Sequence, residues 1–290
     1  MTRTRKAKLP LTLLVAALAM VCVAALAPAP AHADTYPFPI TLTSGNSTIG
    51  VEPTVGLYSW TVGGNTCMWG EYLYYQLEGM QKPANIGTLA LNNYYISPFN
   101  DSVTLEYRLD DTFSIQTFYR LVGGTGVKAD LTEQITITNL MTGCSITGLN
   151  FFEHADFDLT PVIDGHGSDM GYIAESNGNI TAAWQYYGSI AVSETTINLP
   201  PTEWEMGYAP TVSVDVQNGT LQDDPTLNSI IGPDDLAWAF SWTLNLGPGE
   251  SEFFSKDKRL TTVPIPASAL LLGSGLLGLV GLGYRRKRKS

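Results

Sequence analysis

The chain has 290 residues, 15% of them charged, with three cysteines and three histidines, a size that allows one large domain or two modest ones. Nine of its 16 basic residues sit at the two ends. Over residues 34–260 the 27 Asp and Glu therefore meet only seven Lys and Arg, a formal charge of −20 that repels a phosphate backbone and excludes nucleic acid as a partner.

The first 33 residues have the pattern of a signal peptide. Arg3, Arg5, Lys6 and Lys8 precede an uncharged run over residues 13–27, and Ala31-His32-Ala33 supplies a small-x-small cleavage site. The run is short and Pro28 and Pro30 interrupt its exit, which favours cleavage before Asp34 over a permanent anchor.

Residues 34–260 then read as an exported domain built on period-2 patterns. Val103, Leu105, Tyr107 and Leu109 alternate with Thr104, Glu106 and Arg108, and Phe113, Ile115, Tyr119 and Leu121 return after a turn at Asp110-Asp111. Ile135 and Ile137 alternate with Gln134, Thr136 and Thr138. Turn signals recur at Gly63-Gly64-Asn65, Gly123-Gly124, Asn177-Gly178-Asn179, Asn218-Gly219 and Gly247-Pro248-Gly249. No amphipathic helix emerges. The pattern predicts an all-β antiparallel β-sandwich with long loops, one sandwich rather than two because neither linker nor repeat divides it.

Cys67 and Cys144 remain once the signal is removed, and an oxidising compartment permits a disulfide between them. Two buried thiols are the alternative, since Cys67 lies in a strand-like run. Further on, a strand over residues 151–159 would turn Ala155, Phe157 and Leu159 one way and His154, Asp156 and Asp158 the other. A loop then brings Asp164, His166 and Asp169. Asp156, Asp158, Asp164 and Asp169 could hold Ca²⁺, which takes six to eight oxygen ligands in forgiving geometry. Imidazoles beside them would suit a transition metal, and a solvated polar face followed by a polar loop is the plain alternative.

Tyrosine and tryptophan cluster at Tyr72, Tyr74 and Tyr75, at Tyr94 and Tyr95, and at Trp184, Tyr186 and Tyr187. Exposed rings of this kind stack on sugar faces, which makes an extracellular polysaccharide a candidate ligand, although strand pairing by itself enriches such residues. No nucleophile elbow, H-E-x-x-H helix or phosphate-cradling glycine loop occurs, so the reading is a non-enzyme. A carbohydrate-active enzyme using paired carboxylates leaves no spacing to test. Residues 200–235 are rich in Pro, Asp, Gly and Asn and read as excursions between strands. Leu236, Trp238, Phe240, Trp242, Leu244 and Leu246 then alternate with small and polar residues, which predicts a strand with one apolar face.

The last 30 residues, 261–290, fall into three parts: Val263-Pro264-Ile265-Pro266-Ala267, an apolar span over about 267–284, and Arg285, Arg286, Lys287, Arg288 and Lys289 before Ser290. The span is long enough for one transmembrane helix, and the positive-inside rule leaves the basic tail in the cytoplasm and the acidic domain outside it. This order of motif, span and tail resembles the PEP-CTERM sorting-domain family in its V-P-x-P-A form. The resemblance covers about the last tenth of the chain, with Ile265 where the family's name-giving glutamate stands. It implies an exported bacterial protein held at the inner membrane, processed by an exosortase at Val263, Pro264, Pro266 and Ala267, and passed to the cell surface or extracellular matrix.

Overall fold

The computed structural model describes residues 38–159, 168–225 and 227–262. The signal peptide, the 263–267 motif, the apolar span and the basic tail lie outside the described residues, as do Asp164 and His166. Among the described residues no helix is long and apolar enough to cross a membrane.

Among the described residues eighteen strands follow in chain order. They are β1 (Ile40–Ser44), β2 (Ser47–Glu52), β3 (Gly56–Val62), β4 (Asn65–Met68), β5 (Gly70–Gln76), β6 (Ala84–Asn85), β7 (Ala90–Ile96), β8 (Ser102–Leu109) and β9 (Phe113–Gly123). Then come β10 (Ala129–Asn139), β11 (Ile146–Asp156), β12 (Asp169–Ser176), β13 (Asn179–Tyr187), β14 (Ile190–Thr196), β15 (Glu203–Tyr208), β16 (Ile231–Asp234), β17 (Leu236–Leu246) and β18 (Ser251–Thr262). One sheet runs β1-β2-β3-β5-β11-β17-β15, with β4 on β3 and β6 on β5. The other runs β16-β12-β13-β14-β18-β10-β9-β8-β7. Neighbouring strands are antiparallel, both where a short turn joins them, as in β2–β3 and β9–β10, and where distant segments pair, as in β11–β17 and β14–β18.

A single core fills the space between the sheets. Phe151 and Trp242 from the first sheet pack on Phe254 of the second, with ring centroids 5.4 and 4.6 Å apart. Tyr75 meets Phe113 edge-on at 5.5 Å. The predicted turns close hairpins where glycine or asparagine takes a left-handed conformation: Gly63 and Gly64 (φ 59° and 86°) join β3 to β4, and Asn177 and Gly178 (φ 56° and 81°) join β12 to β13.

Residues 200–235 depart from expectation. They contain β15, β16 and a ten-residue helix, α1 (Ala209–Asn218), where loops and no helix were predicted. The helix escapes a propensity reading because Thr211, Val212, Val214 and Val216 are β-branched and poor helix formers. Tertiary packing overrides that: Ala209, Val212 and Val216 bury one face against Phe152, Ala237 and Ala239. Asn218-Gly219, read as a strand turn, is the helix end, where Gly219 at φ 69° donates to Val216 O and Thr220 N donates to Asp215 O, both at 3.0 Å. One correction follows for β17. Its outer face is no solvated face over Leu236–Trp242, because α1 and β15 cover Ala237 and Ala239; only Thr243 and Asn245 are exposed.

Candidate functional site

At the end of β11 the predicted face exists, but it is only partly solvated, Asp156 and Asp158 being half-buried. His154 is buried, with its ring 6.0 Å from that of Tyr72 and the backbone of Ala209 at the start of α1 against it. Burial pushes the imidazole down to about 4, so it is neutral at physiological pH.

Asp156 and Asp158 do come together, with Asp235 as third member; each offers a carboxylate oxygen within 4.8 Å of the others. Register explains the newcomer. Asp156 pairs with Ala237 across the β11–β17 ladder, so Asp235, two residues before Ala237, arrives beside Asp158. Asp169 opens β12 alongside, its Oδ2 accepting from Gln185 Nε2 at 2.7 Å. Gln185 Nε2 also donates to Phe157 O at 2.5 Å, tying that strand end to β13.

Burial, then Asp235, Asp158 and Asp169, raises the Asp156 carboxyl to about 8. Burial lifts Asp169 to about 6 against the hydrogen bonds from Gln185 and the Leu159 backbone. Such a group keeps protons near neutrality unless a hard cation replaces them, and Asp156, Asp158 and Asp235 are the side chains that could hold one.

A second ionic group, which sequence reasoning missed, lies between the sheets. Lys256 and Lys258 of β18 point inward with 1% or less of each side chain exposed, as do Glu71 (β5), Glu133 (β10), Glu153 (β11) and Glu194 (β14). Lys258 Nζ stands 2.5 Å from Glu71 Oε2, 2.7 Å from Glu133 Oε2, 2.8 Å from Glu153 Oε1 and 3.3 Å from Glu194 Oε2. Lys256 Nζ is paired with Glu153, lies 2.8 Å from Glu133 Oε2 and 3.4 Å from Glu194 Oε1, and sits 5.9 Å from the centre of the Trp242 ring. Glu71, Glu133 and Glu153 are close enough to suit a metal ion, but the cation among them is the Lys258 ammonium.

Two ammoniums cannot balance four carboxylates in a dry interior, and the cluster resolves this with protons. Burial, then the neighbouring carboxylates, raises Glu71 well above the ordinary range and Glu194 to about 7. The two lysines hold Glu133 low and Glu153 down to about 2 despite burial. Two carboxylates then match two ammoniums, Glu71 stays neutral, and Glu194 holds its proton up to about pH 7. Trp238 Nε1 donates to Glu194 Oε2 at 2.9 Å, completing the group.

A signal for this cluster was present in the strand phases. Lys256 and Lys258 stand in step with Phe254 and Leu260, Glu133 with Leu131 and Ile135, Glu153 with Phe151 and Ala155, and Glu71 with Leu73 and Tyr75, all buried. A charged residue in phase with an apolar face points inward.

The aromatic clusters divide. Tyr75 is core, and Tyr94 packs on Phe38 at 5.8 Å. Tyr95 is 62% exposed. On β12 and β13, Gly171, Ile173, Ala183 and Gln185 face inward, which turns Tyr172, Trp184 and Tyr186 outward and half-exposed. Tyr172 and Trp184 stack across the ladder at 6.2 Å with their planes 5° apart. No disulfide joins Cys67 and Cys144. Cys67 is buried on β4, its Sγ donating to Trp60 O at 3.3 Å, and burial pushes its thiol up to about 12. Cys144 lies half-buried between β10 and β11.

No protein-family model matches the chain, and no curated protein matches it. Several solved structures align with it. A galactose mutarotase-like protein from Lactobacillus casei aligns with TM-score 0.48 and 11% identity over 77% of this chain and 100% of its own. The Slr1438 protein of Synechocystis aligns with TM-score 0.48 and 11% identity over 81% and 99%. A heparan sulfate lyase HepC mutant from Pedobacter heparinus gives TM-score 0.38 and 9% identity over 74% and 33%. Likeness at that level assigns this chain neither a family nor an activity.

Proposed function

We propose that the chain is an exported, non-enzymatic surface or matrix protein, delivered by its C-terminal signal and displaying the β-sandwich outside the cell. The observation that carries this reading is the position of β18 relative to the motif. β18 runs to Thr262, with Thr261 and Thr262 paired to Ala191 and Ile190, and Val263 begins the V-P-x-P-A motif at the next residue. Processing at residues 263–267 would therefore remove the tail and leave every described strand whole. The partners on this reading are the membrane, an exosortase-type enzyme and the surface matrix.

Mass spectrometry of surface material tests it: the N-terminus should be Asp34 and the C-terminus should fall near residues 263–267. Replacing Arg285 to Arg288 with Ser should release or misdirect the domain. Surface protein that uniformly retains Ser290 would overturn the reading.

A glycan-binding role is a second reading, supported by the outward, half-exposed Tyr172, Trp184 and Tyr186, since aromatic rings of this kind pack on the faces of sugars. Retention on a polysaccharide array, lost in Trp184→Ala and unaccompanied by reducing-end release, would favour it. Reducing-end release by the wild type would instead indicate a carbohydrate-active enzyme.

A further inference from the structure

We propose that Lys258 and Glu71 are joined by an amide bond between Nζ and Cδ, a covalent staple from β18 of one sheet to β5 of the other. Their polar atoms are 2.5 Å apart and both side chains are fully buried, so the reacting groups are held together with little freedom left to lose. Condensing an amine with a carboxyl requires a neutral carboxylic acid as electrophile, an amine relieved of its proton, a base beside it and exclusion of water.

The cluster supplies the electrophile, the bases and the dry interior. The Lys258 amine, raised despite burial well above its ordinary range by Glu133, Glu153, Glu194 and Glu71, gives up its proton only as the bond forms. Glu71 is the acid that burial keeps neutral, and its Oε1 has no hydrogen-bond partner among the described residues. Glu133 and Glu153, held as carboxylates by the two lysines, lie 2.7 and 2.8 Å from the Lys258 nitrogen and are placed to take its protons. The Nζ–Cδ bond forms and one Cδ–O bond of Glu71 breaks. Of the two protons that Nζ gives up, one leaves with the Glu71 hydroxyl as water and the other stays on Glu133 or Glu153. The ammonium charge and one carboxylate charge disappear together, so the interior remains neutral. Lys256 is not equivalent. Its closest partner, Glu153, is held as a carboxylate, which is no electrophile, and its ammonium rests over the Trp242 ring.

The bond does not depend on the surface reading, although its use would. β18 leads directly into the 263–267 motif, so tension on a C-terminal attachment pulls first on the strand that the staple ties to the opposite sheet.

Peptide mass spectrometry of the purified full chain, unfolded and reduced before digestion, tests the proposal. The expected result is a reductant-resistant pair of peptides carrying Glu71 and Lys258, lighter than their sum by one water, ~18 Da, with trypsin failing to cut after Lys258. Lys258→Arg should restore the linear Glu71 peptide. Linear Glu71 and Lys258 peptides at their sequence masses throughout the wild-type population would overturn the proposal. So would a link at Lys256 in place of Lys258, or loss of water that persists at Glu71 in Lys258→Arg.

Discussion

Trp238 joins the aromatic core to the buried ionic group, so its replacement measures both. The side chain is fully buried, its ring is parallel to Phe157 (5.0 Å, 11°), and Nε1 donates to Glu194 Oε2 at 2.9 Å. Truncating a core aromatic to alanine costs about 3–5 kcal/mol. Leaving a buried polar group without its donor adds about 1–3 kcal/mol. Trp238→Ala should therefore lose about 4–8 kcal/mol, a large share of the roughly 5–15 kcal/mol that holds a domain together. Trp238→Phe keeps a ring against Phe157 and loses the donor, so it should lose chiefly the second part. Phe240→Ala, also fully buried, should cost about 3–5 kcal/mol, whereas Thr243→Ala, exposed and bonded only to Asn150 Oδ1, should stay within about 0.5 kcal/mol. Urea midpoints at constant slope read these differences. A Trp238→Phe midpoint equal to wild type would refute the role given to the indole N–H, and a tolerant Phe240→Ala would refute the packing of β17.

Lys256→Met leaves Glu133 and Glu153 short of a counter-charge inside the core and should cost about 3–5 kcal/mol, while the same change at exposed Lys128 should be near neutral; thermal melts distinguish them. Stability should fall as pH rises from about 4, the ordinary carboxyl range, to about 8, because Glu194, Asp169 and Asp156 are raised to about 7, 6 and 8 in the folded state. Raised carboxyls stabilise the fold fully below their ordinary range and lose that contribution as pH passes their folded values. Glu153, held to about 2, works the other way and weakens the fold only on strong acidification, so a melting temperature that climbs through pH 8 would contradict the assignment. If Asp156, Asp158 and Asp235 take up calcium, the ion should raise the melting temperature more at pH 8 than at pH 5, and Asp156→Asn should abolish the rise; indifference to calcium and to chelator at pH 8 would leave protons as the only charge balance.

Alternation made β8, β9 and β10 legible, since each buries every second residue along most of its length, and β17 legible through its alternation of large and small residues. What alternation cannot encode is cover on the second face. Ala237 and Ala239 read as small outward residues, yet they are small because α1 packs there, and α1 is itself written in β-branched residues. The acidic group was half legible for a similar reason. Asp156 and Asp158 share a face by period 2, whereas Asp235 joins them only through the β11–β17 register, which turns on a pairing between distant segments. The inward lysines were in plain phase with Phe254 and Leu260, but charge ordinarily marks a solvated face, and that expectation hides a buried ion pair.

The ionic cluster also bears on how the last strand finds its place. β18 is C-terminal in sequence but central in its sheet, flanked by β10 and β14, so it must fit between strands that precede it in the chain. Glu133 stands directly opposite Lys256 on one side, and Glu194 opposite Lys258 on the other. A slip of one residue would turn both lysines to solvent and carry Asp257 and Arg259 inward. Asp257 would then add a negative charge to a group that already needs two protons to reach neutrality. It would also forfeit the outer-face contacts of Asp257 with Thr132 (3.2 Å) and Arg259 with Asp130 (3.4 Å). Apolar side chains at positions 256 and 258 would fill the same space without that penalty, since one hydrophobic register differs little from the next when both faces of a strand are partly covered. The two lysines thus contribute discrimination between registers, which a buried ion pair can supply even where its net contribution to stability is small.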